Sequence, residues 1–496
     1  MDRSHFELLI MNHIEPKNGD KSLMHLLKQN LTNEMFHSIL CGLETPHLIK
    51  KIFLLTFVLL ANCLASYTTV TLVISYLEYN VITTSRVIYD PPVLFPKIKI
   101  CNTNMFTTRY AFDFLSRLIK REKFPINFLD ESQLKNVSFA KKREIFNKFK
   151  FIATELLTSM PDAEKKRMSH RWEDTLLACR FNYKPCQSDD FSWEFEGTLG
   201  NCYSFNAGAQ ERAAKRSTIS GKSFGLQMEL YVNYYEGLIA FNSFTSASGL
   251  LVRIENASHL IDNGLSSIRV SPGLDTFIGL SREFRVSLPR PYSNCESSNF
   301  DSDLYRLIQQ SSYDYSREFC FKQCTQMLLI RDCNCTFSIF SSLFDSIKCE
   351  SLERIACAVN YYSNVYLEGN YLQDFCQPKC PLECNSTKFT YSLSFNELNV
   401  LSYVDLIQSN FSFDFVKRQV DGQTAKSSIV SLNVYYDSLA YTVLAESPQM
   451  DVISLVANIG GNLGLFLGVS LFSLGEILTT LFEIYYVRKE KVGINS

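Results

Sequence analysis

The pattern of apolar and polar positions divides the chain into five stretches. Ile52 to Leu77 is 26 residues without a charge. As a helix it measures about 39 Å, more than a hydrocarbon core of about 30 Å. Val452 to Gly475 is a second charge-free stretch, of 24 residues. Runs of this length read as membrane-spanning helices rather than as buried core helices. Residues 1–47 hold no apolar run and are dotted with charge, so the first span reads as a retained signal anchor, not a cleaved signal peptide. Lys50 and Lys51 precede it, and Arg488, Lys489 and Lys491 follow the second span, while Glu78 and Asp451 flank the segment between. Basic flanks stay cytoplasmic. The expected organisation is a cytosolic segment (1–51), a first transmembrane helix (52–77), an extracellular domain (78–451), a second transmembrane helix (452–484) and a cytosolic tail (485–496).

Between the spans the pattern is α+β. Runs suited to strands recur at 95–101, 226–235, 250–256, 285–289, 389–394 and 431–444, with helical patches near 107–121, 139–159 and 299–330. The fold class expected is therefore a membrane protein, two transmembrane helices flanking a large disulfide-rich α+β ectodomain. The setting is the plasma membrane, with the lipid bilayer as a partner.

Composition sharpens this. A formal net charge of −2 excludes the basic stripe of a nucleic-acid binder, and 46% hydrophobic residues exclude intrinsic disorder. Fourteen of the 16 Cys lie between the spans, nine of them from Cys320 to Cys384. Zinc ligation is the competing reading of such a cluster, but no His is interleaved and no paired C-x2-C knuckle occurs. An even number of Cys in an oxidising compartment reads as disulfides, with a connectivity that spacing leaves open. N-x-[ST] sequons at Asn136, Asn256, Asn334, Asn385 and Asn410 fall in the same segment and agree with a glycosylating compartment. No G-x-S-x-G, H-E-x-x-H or P-loop is present, and the His residues are scattered. The chain reads as no enzyme, with no cofactor and no metal site.

The second span is not an ordinary anchor. Gly460, Gly464 and Gly468 are spaced by four and stack on one helical face, flanked by Asn458 and Gly461. A lone GxxxG would read as helix dimerisation. Each Gly in a helix costs about 1 kcal/mol relative to Ala, so this many suggest a helix that unwinds and exposes carbonyls. In lipid that is tolerated only where the backbone faces protein or water. A water-filled ion path, with carbonyls and the Ser470 hydroxyl replacing hydration oxygens, meets the condition. Glu476 and Glu483 add cation-attracting carboxylates toward the inner mouth.

Several motifs, in order along the chain, resemble one family. They are YLEYNVIT (76–83) with FPKIKICN (95–102), GNCYSFN (200–206) with GKSFGLQMEL (221–230), VSPGLDTFIGLSREFRVSLPRPYSNC (270–295), the nine-Cys cluster, and NIGGNLGLFLGVSLFSLGEI (458–477). Together they resemble the degenerin/epithelial sodium channel/acid-sensing ion channel family. The first pair is similar to its post-membrane strand, the second to its central palm strands, and the last to its pore signature.

The resemblance implies trimers, homomeric or heteromeric, around a pore lined by the second span. It implies a selectivity filter at Gly468, Val469 and Ser470. Ala457, Asn458 and Gly461 match the gate, and Gly464 matches a position linked to amiloride block. It also implies the pairs Cys101–Cys202, Cys179–Cys186, Cys295–Cys384, Cys320–Cys380, Cys324–Cys376, Cys333–Cys357 and Cys335–Cys349. Members usually carry His-Gly in the cytosolic segment that returns to the inner pore; here the counterpart is Cys41-Gly42, which with Glu476 would line it. A thumb-base Trp of acid-sensing relatives is replaced by Tyr292, and Tyr76 is the expected receiver of motion from its loop. The expected function is a stimulus-gated, sodium-selective and amiloride-sensitive cation channel with Na⁺ as permeant ion. The stimulus, an extracellular peptide, a proton ligand or force, is left open. A two-span receptor or adhesion protein using GxxxG only for assembly is the alternative, and an ectoenzyme a third class.

Overall fold

The computed structural model describes residues 47–121, 137–207, 214–232, 248–255, 267–296, 300, 302–311, 315–338, 342–367, 372–401, 403–404, 422–468, 475, 479 and 482. The chain forms two compact units, Met1–Ile82 with Ser447–Ser496, and Thr83–Glu446. The helices used below are α1 (Leu48–Leu77), α2 (Arg109–Arg121), α3 (Phe139–Thr158), α4 (Asp162–Lys166), α5 (Trp172–Thr175), α6 (Asp303–Gln309), α7 (Arg317–Cys333), α8 (Leu352–Leu367), α9 (Gly422–Ser428) and α10 (Val452–Leu467). The strands are β1 (Val81–Tyr89), β2 (Val93–Leu94), β3 (Lys97–Asn102), β4 (Leu176–Phe181), β5 (Lys184–Pro185), β6 (Phe191–Glu196), β7 (Gly200–Phe205), β8 (Arg216–Ser217), β9 (Leu226–Tyr231), β10 (Leu250–Glu255), β11 (Ile268–Val270), β12 (Leu274–Val286), β13 (Cys295–Glu296), β14 (Leu382–Glu383), β15 (Asn385–Glu397) and β16 (Ile429–Pro448).

In the first unit α1 packs against α10. Four polar residues of α1 bond to its own backbone. Thr56 donates to the Ile52 carbonyl at 3.0 Å, Thr68 to Leu64 at 2.8 Å, Thr71 to Tyr67 at 2.8 Å and the Asn62 amide to Val58 at 2.8 Å. Bonds of this kind to the carbonyl one turn back let hydroxyls and amides sit in an otherwise apolar helix. Among the described residues α1 alone is long and apolar enough to cross a membrane. The second span, expected as one helix over 452–484, is interrupted: Gly475, Thr479 and Phe482 are helical, but the helix that begins it, α10, stops at Leu467. Gly468 ends it in the left-handed region, at φ 65°. The post-membrane strand also differs from expectation. Apolar periodicity carries the helix through Leu77, and β1 begins only at Val81.

The second unit holds a seven-stranded sheet, β15-β12-β16-β9-β4-β5 with β1 on β16, and a five-stranded sheet, β11-β10-β3-β7-β6. β12 and β16 run parallel, and their register shifts between Leu280 and Arg282. Two runs read together as central strands therefore separate: β7 joins β3 in the smaller sheet, and β9 joins β16 in the larger. The apolar 285–289 run is the end of β12, which starts eleven residues earlier at Leu274. The 299–330 patch is two helices, α6 and α7, with non-helical Ser316 as the N-cap of the second, accepting from Phe319 N at 3.1 Å.

One ring ties the sheets together. Phe95 is fully buried and meets Phe181 at 4.9 Å, Phe205 at 6.1 Å and Tyr436 at 5.9 Å, all edge to face. Such pairs add about 0.5–1.5 kcal/mol each beyond area burial. Disulfides join Cys101–Cys202, Cys179–Cys186, Cys295–Cys384, Cys320–Cys380, Cys324–Cys376, Cys333–Cys357 and Cys335–Cys349. These are the pairs the family's cysteine order implied. Four of them staple α7, α8 and the segments around them, where two small cores form.

Candidate functional site

The strongest candidate in the sequence is the second apolar stretch, so its local structure comes first. Asp451 caps α10, accepting from the Ser454 backbone N–H at 2.7 Å; the Ser454 hydroxyl first, and this backbone bond second, hold its carboxyl below the usual range. Along α10, Ala457, Gly461 and Gly464 follow one another by four and three residues and so fall on one stripe. All three are exposed, as is Asn458. A side chain built at Gly460, Gly461 or Gly468 would meet nothing within 4 Å. The Gly468 N–H bonds to the Gly464 carbonyl at 3.0 Å and closes the helix. A left-handed glycine is a common helix terminator, and the last carbonyls of a helix have no partner within it. α10 thus ends at the residue that the family resemblance matches to the first filter position. Val469, Ser470, Glu476, Cys41 and Gly42 lie outside the described residues.

The ends of the two helices meet locally. The Gln449 N–H bonds to the Asn80 carbonyl at 2.9 Å, and the Ser447 hydroxyl to the Ile82 carbonyl at 3.4 Å. Tyr76, near the end of α1, has its ring 6.1 Å from that of Tyr79. In the other unit Tyr292 sits on a loop held at several points. Its N–H bonds to the Pro289 carbonyl, Leu288 N–H to the Glu446 carboxylate at 3.0 Å, and Ser287 N–H to the Cys384 carbonyl at 2.8 Å. Cys295, joined to Cys384, closes the loop. Of the sequons, Asn334 and Asn385 are exposed; Asn136, Asn256 and Asn410 lie outside the described residues.

Two features escaped the sequence reading. The first is a six-charge network on one face of the small sheet. Lys97 pairs with Glu194 at 2.7 Å and Glu255 at 3.5 Å, Lys99 with Glu194 at 3.0 Å and Glu196 at 3.1 Å, and Arg253 bonds both Glu196 oxygens at 2.7 Å. β6 and β3 are separated by β7, whose Gly200, Cys202 and Ser204 are small enough for the lysines to reach across. Burial opposes ionisation of Glu194, but Lys99 and Lys97 overcome it and hold its carboxyl down at about 2. At Glu255 burial dominates and pushes the carboxyl up. Alternating charge in a strand is a weak hint of such a network; the partners come from three strands and are invisible locally. The second feature is a buried carboxylate, Glu155, on α3, bonded to the loop after α7.

Comparison with known proteins bears on both units. The family model described as amiloride-sensitive sodium channel matches residues 31–480. This chain belongs to that family. Among its relatives, acid-sensing ion channel 1A of Danio rerio is 26% identical over 430 residues, 83% of this chain and 79% of that one. The human epithelial sodium channel subunit beta is 27% identical over 340 residues, 68% of this chain. The epithelial sodium channel subunit alpha of Pelodiscus sinensis is 23% identical over 338 residues. The chain spans about half the length of these epithelial subunits, 51% and 50%. A cryo-EM structure of a proton-activated chloride channel aligns over 88% of this chain and 98% of that one at a TM-score of 0.31 and 9% identity, too weak a likeness to bear on ion choice. Membership in this family of membrane channels accounts for the disulfide-rich ectodomain and for the absence of a catalytic signature.

Proposed function

We propose that this chain is a subunit of a sodium-selective cation channel, with two membrane spans and with α10 and the residues after it lining the ion path. The observation that carries the reading is the end of α10 at left-handed Gly468, in a chain of the amiloride-sensitive sodium channel family. An unwound backbone at membrane depth is tolerated where it lines water, and carbonyls there replace part of an ion's hydration shell. Gly468, Val469 and Ser470 form the filter in this reading. Ala457, Asn458 and Gly461 form the gate, Gly464 contributes to amiloride block, and Cys41, Gly42 and Glu476 line the inner pore. Three copies surround the axis, both termini are cytoplasmic, and residues between the spans are extracellular. The names of the epithelial sodium channel relatives support Na⁺ as the permeant ion.

The test is current. Oocytes expressing the full chain, alone and with family subunits, are recorded during pH steps, a peptide panel, stretch and amiloride. A Na⁺-selective current, with a Na⁺/K⁺ permeability ratio lowered by bulkier residues at Ser470, is expected. Normal current with unchanged selectivity in those variants would remove this segment from the filter. Surface expression without current under any stimulus would favour a receptor or adhesion protein.

A further inference from the structure

Where the two sheets of the second unit approach each other lies a cavity of about 20 Å³. Its wall includes Trp172, Thr107, Ser169, Asn201, Tyr203 and Leu250. Trp172 is 8% exposed, its ring stacked on Tyr203 at 4.6 Å and packed on Phe191 at 4.7 Å. Its indole N–H has no hydrogen-bond partner among the described residues. An indole N–H is a donor only, and leaving a buried donor unpaired is costly.

The hydroxyls of two lining residues are half used. Thr107 Oγ1 accepts from the His170 N–H at 3.1 Å, and Ser169 Oγ accepts from the Asn201 amide at 2.8 Å. A hydroxyl has two lone pairs and one proton, so each keeps one lone pair and its proton. The lining residues therefore include one unmatched donor and two hydroxyls that can either donate or accept. Size decides what fits. A water needs about 10–15 Å³ measured this way and two to four polar partners. An organic ligand needs several times more.

We infer that this cavity is a binding site for one ordered water, which accepts from the Trp172 indole N–H and bonds to the Thr107 and Ser169 hydroxyls. The water links α5 to the segment after β3 (Thr107) and to the segment before α5 (Ser169). It completes the polar layer between the two sheets.

Hydrogen bonding of the indole N–H is read by ultraviolet resonance Raman spectroscopy, whose indole ring marker band separates bonded from free N–H. The chain holds two Trp, and the Trp193 N–H already bonds to Asn201 at 3.1 Å. The Trp172 band is isolated as the difference between the native full-length chain and its Trp172→Phe variant. Should that variant not fold, the Trp193→Phe variant leaves Trp172 as the only indole. A bonded band is expected in the native chain, moving to the free position in Thr107→Val/Ser169→Ala. A free band in the native chain overturns the assignment, and so does a bonded band unmoved in the double variant.

Discussion

Glu155 on α3 receives the Ser338 backbone N–H on both carboxylate oxygens, at 2.9 and 3.1 Å, across 183 residues of sequence. Ser338 follows Phe337, which is fully buried, 6.1 Å from Phe151 of α3 and held by Gln326 through its own N–H at 2.9 Å. The carboxylate thus secures the disulfide-bounded loop after α7 to a helix of the preceding segment. Glu155→Ala should lower stability by about 1–3 kcal/mol, the cost of a buried donor left unpaired. Glu155→Gln keeps a carbonyl acceptor and should recover most of it. Thermal unfolding of the purified full-length chain, followed by tryptophan fluorescence, checks the order.

The charge network on the small sheet makes a second prediction. Arg253→Met removes the bidentate partner of Glu196 and should destabilise by about 3–5 kcal/mol, as breaking a buried pair does. Replacing both, in Arg253→Met/Glu196→Leu, should recover much of the loss. Equal losses in the single and double variants would mean the pair contributes only packing.

The same network gives a pH dependence of known sign. The folded pKa of Glu194 is depressed, so its contribution is present above the unfolded value of about 4.3 and disappears as pH falls toward about 2. Glu255 has the opposite sign. Burial raises its pKa, and the neutral acid it favours contributes more as pH falls. Glu194→Gln should flatten the acid limb of a stability–pH curve measured by denaturant unfolding, and Glu255→Gln should steepen it.

In α10, Gly468 stands at φ 65°. Open space surrounds it, so the penalty for Gly468→Ala is conformational, about 1–2 kcal/mol in favour of continuing the helix. Continued helix would bury carbonyls that the proposed filter needs. Macroscopic current normalised to surface expression should fall sharply in this variant, while Gly475→Ala should have less effect.

At Ala457, on the same stripe as Gly461 and Gly464, a bulky residue should prevent close packing about the proposed axis. Overpacking costs about 1–3 kcal/mol, and about 1.4 kcal/mol already shifts an equilibrium tenfold. Raised resting current in Ala457→Phe, with charged-thiol reagents modifying Ala457→Cys, is the expected outcome. Resting current unaltered by either change would take Ala457 out of the gate.

What the sequence alone determined here is whatever a contiguous stretch encodes. The uncharged run Ile52–Leu77, longer than the hydrocarbon core is thick, lies within the helix Leu48–Leu77, and capping Asp451 began the next one at Val452. The cysteine order, through resemblance to a family, supplied pairings that spacing alone left open. The proposed filter and gate positions likewise rest only on that resemblance. Tertiary structure decided the rest. Gly468, rather than the end of the apolar run, stops α10, because a left-handed turn costs glycine little. β7 and β9, similar as apolar runs, enter different sheets because each pairs with a strand far away in sequence. The Arg253–Glu196 pair and the Glu155–Ser338 bond span 57 and 183 residues. Their groups are ordinary in their own segments. Only the fold brings them together out of water, and it is that burial which makes their pairing obligatory.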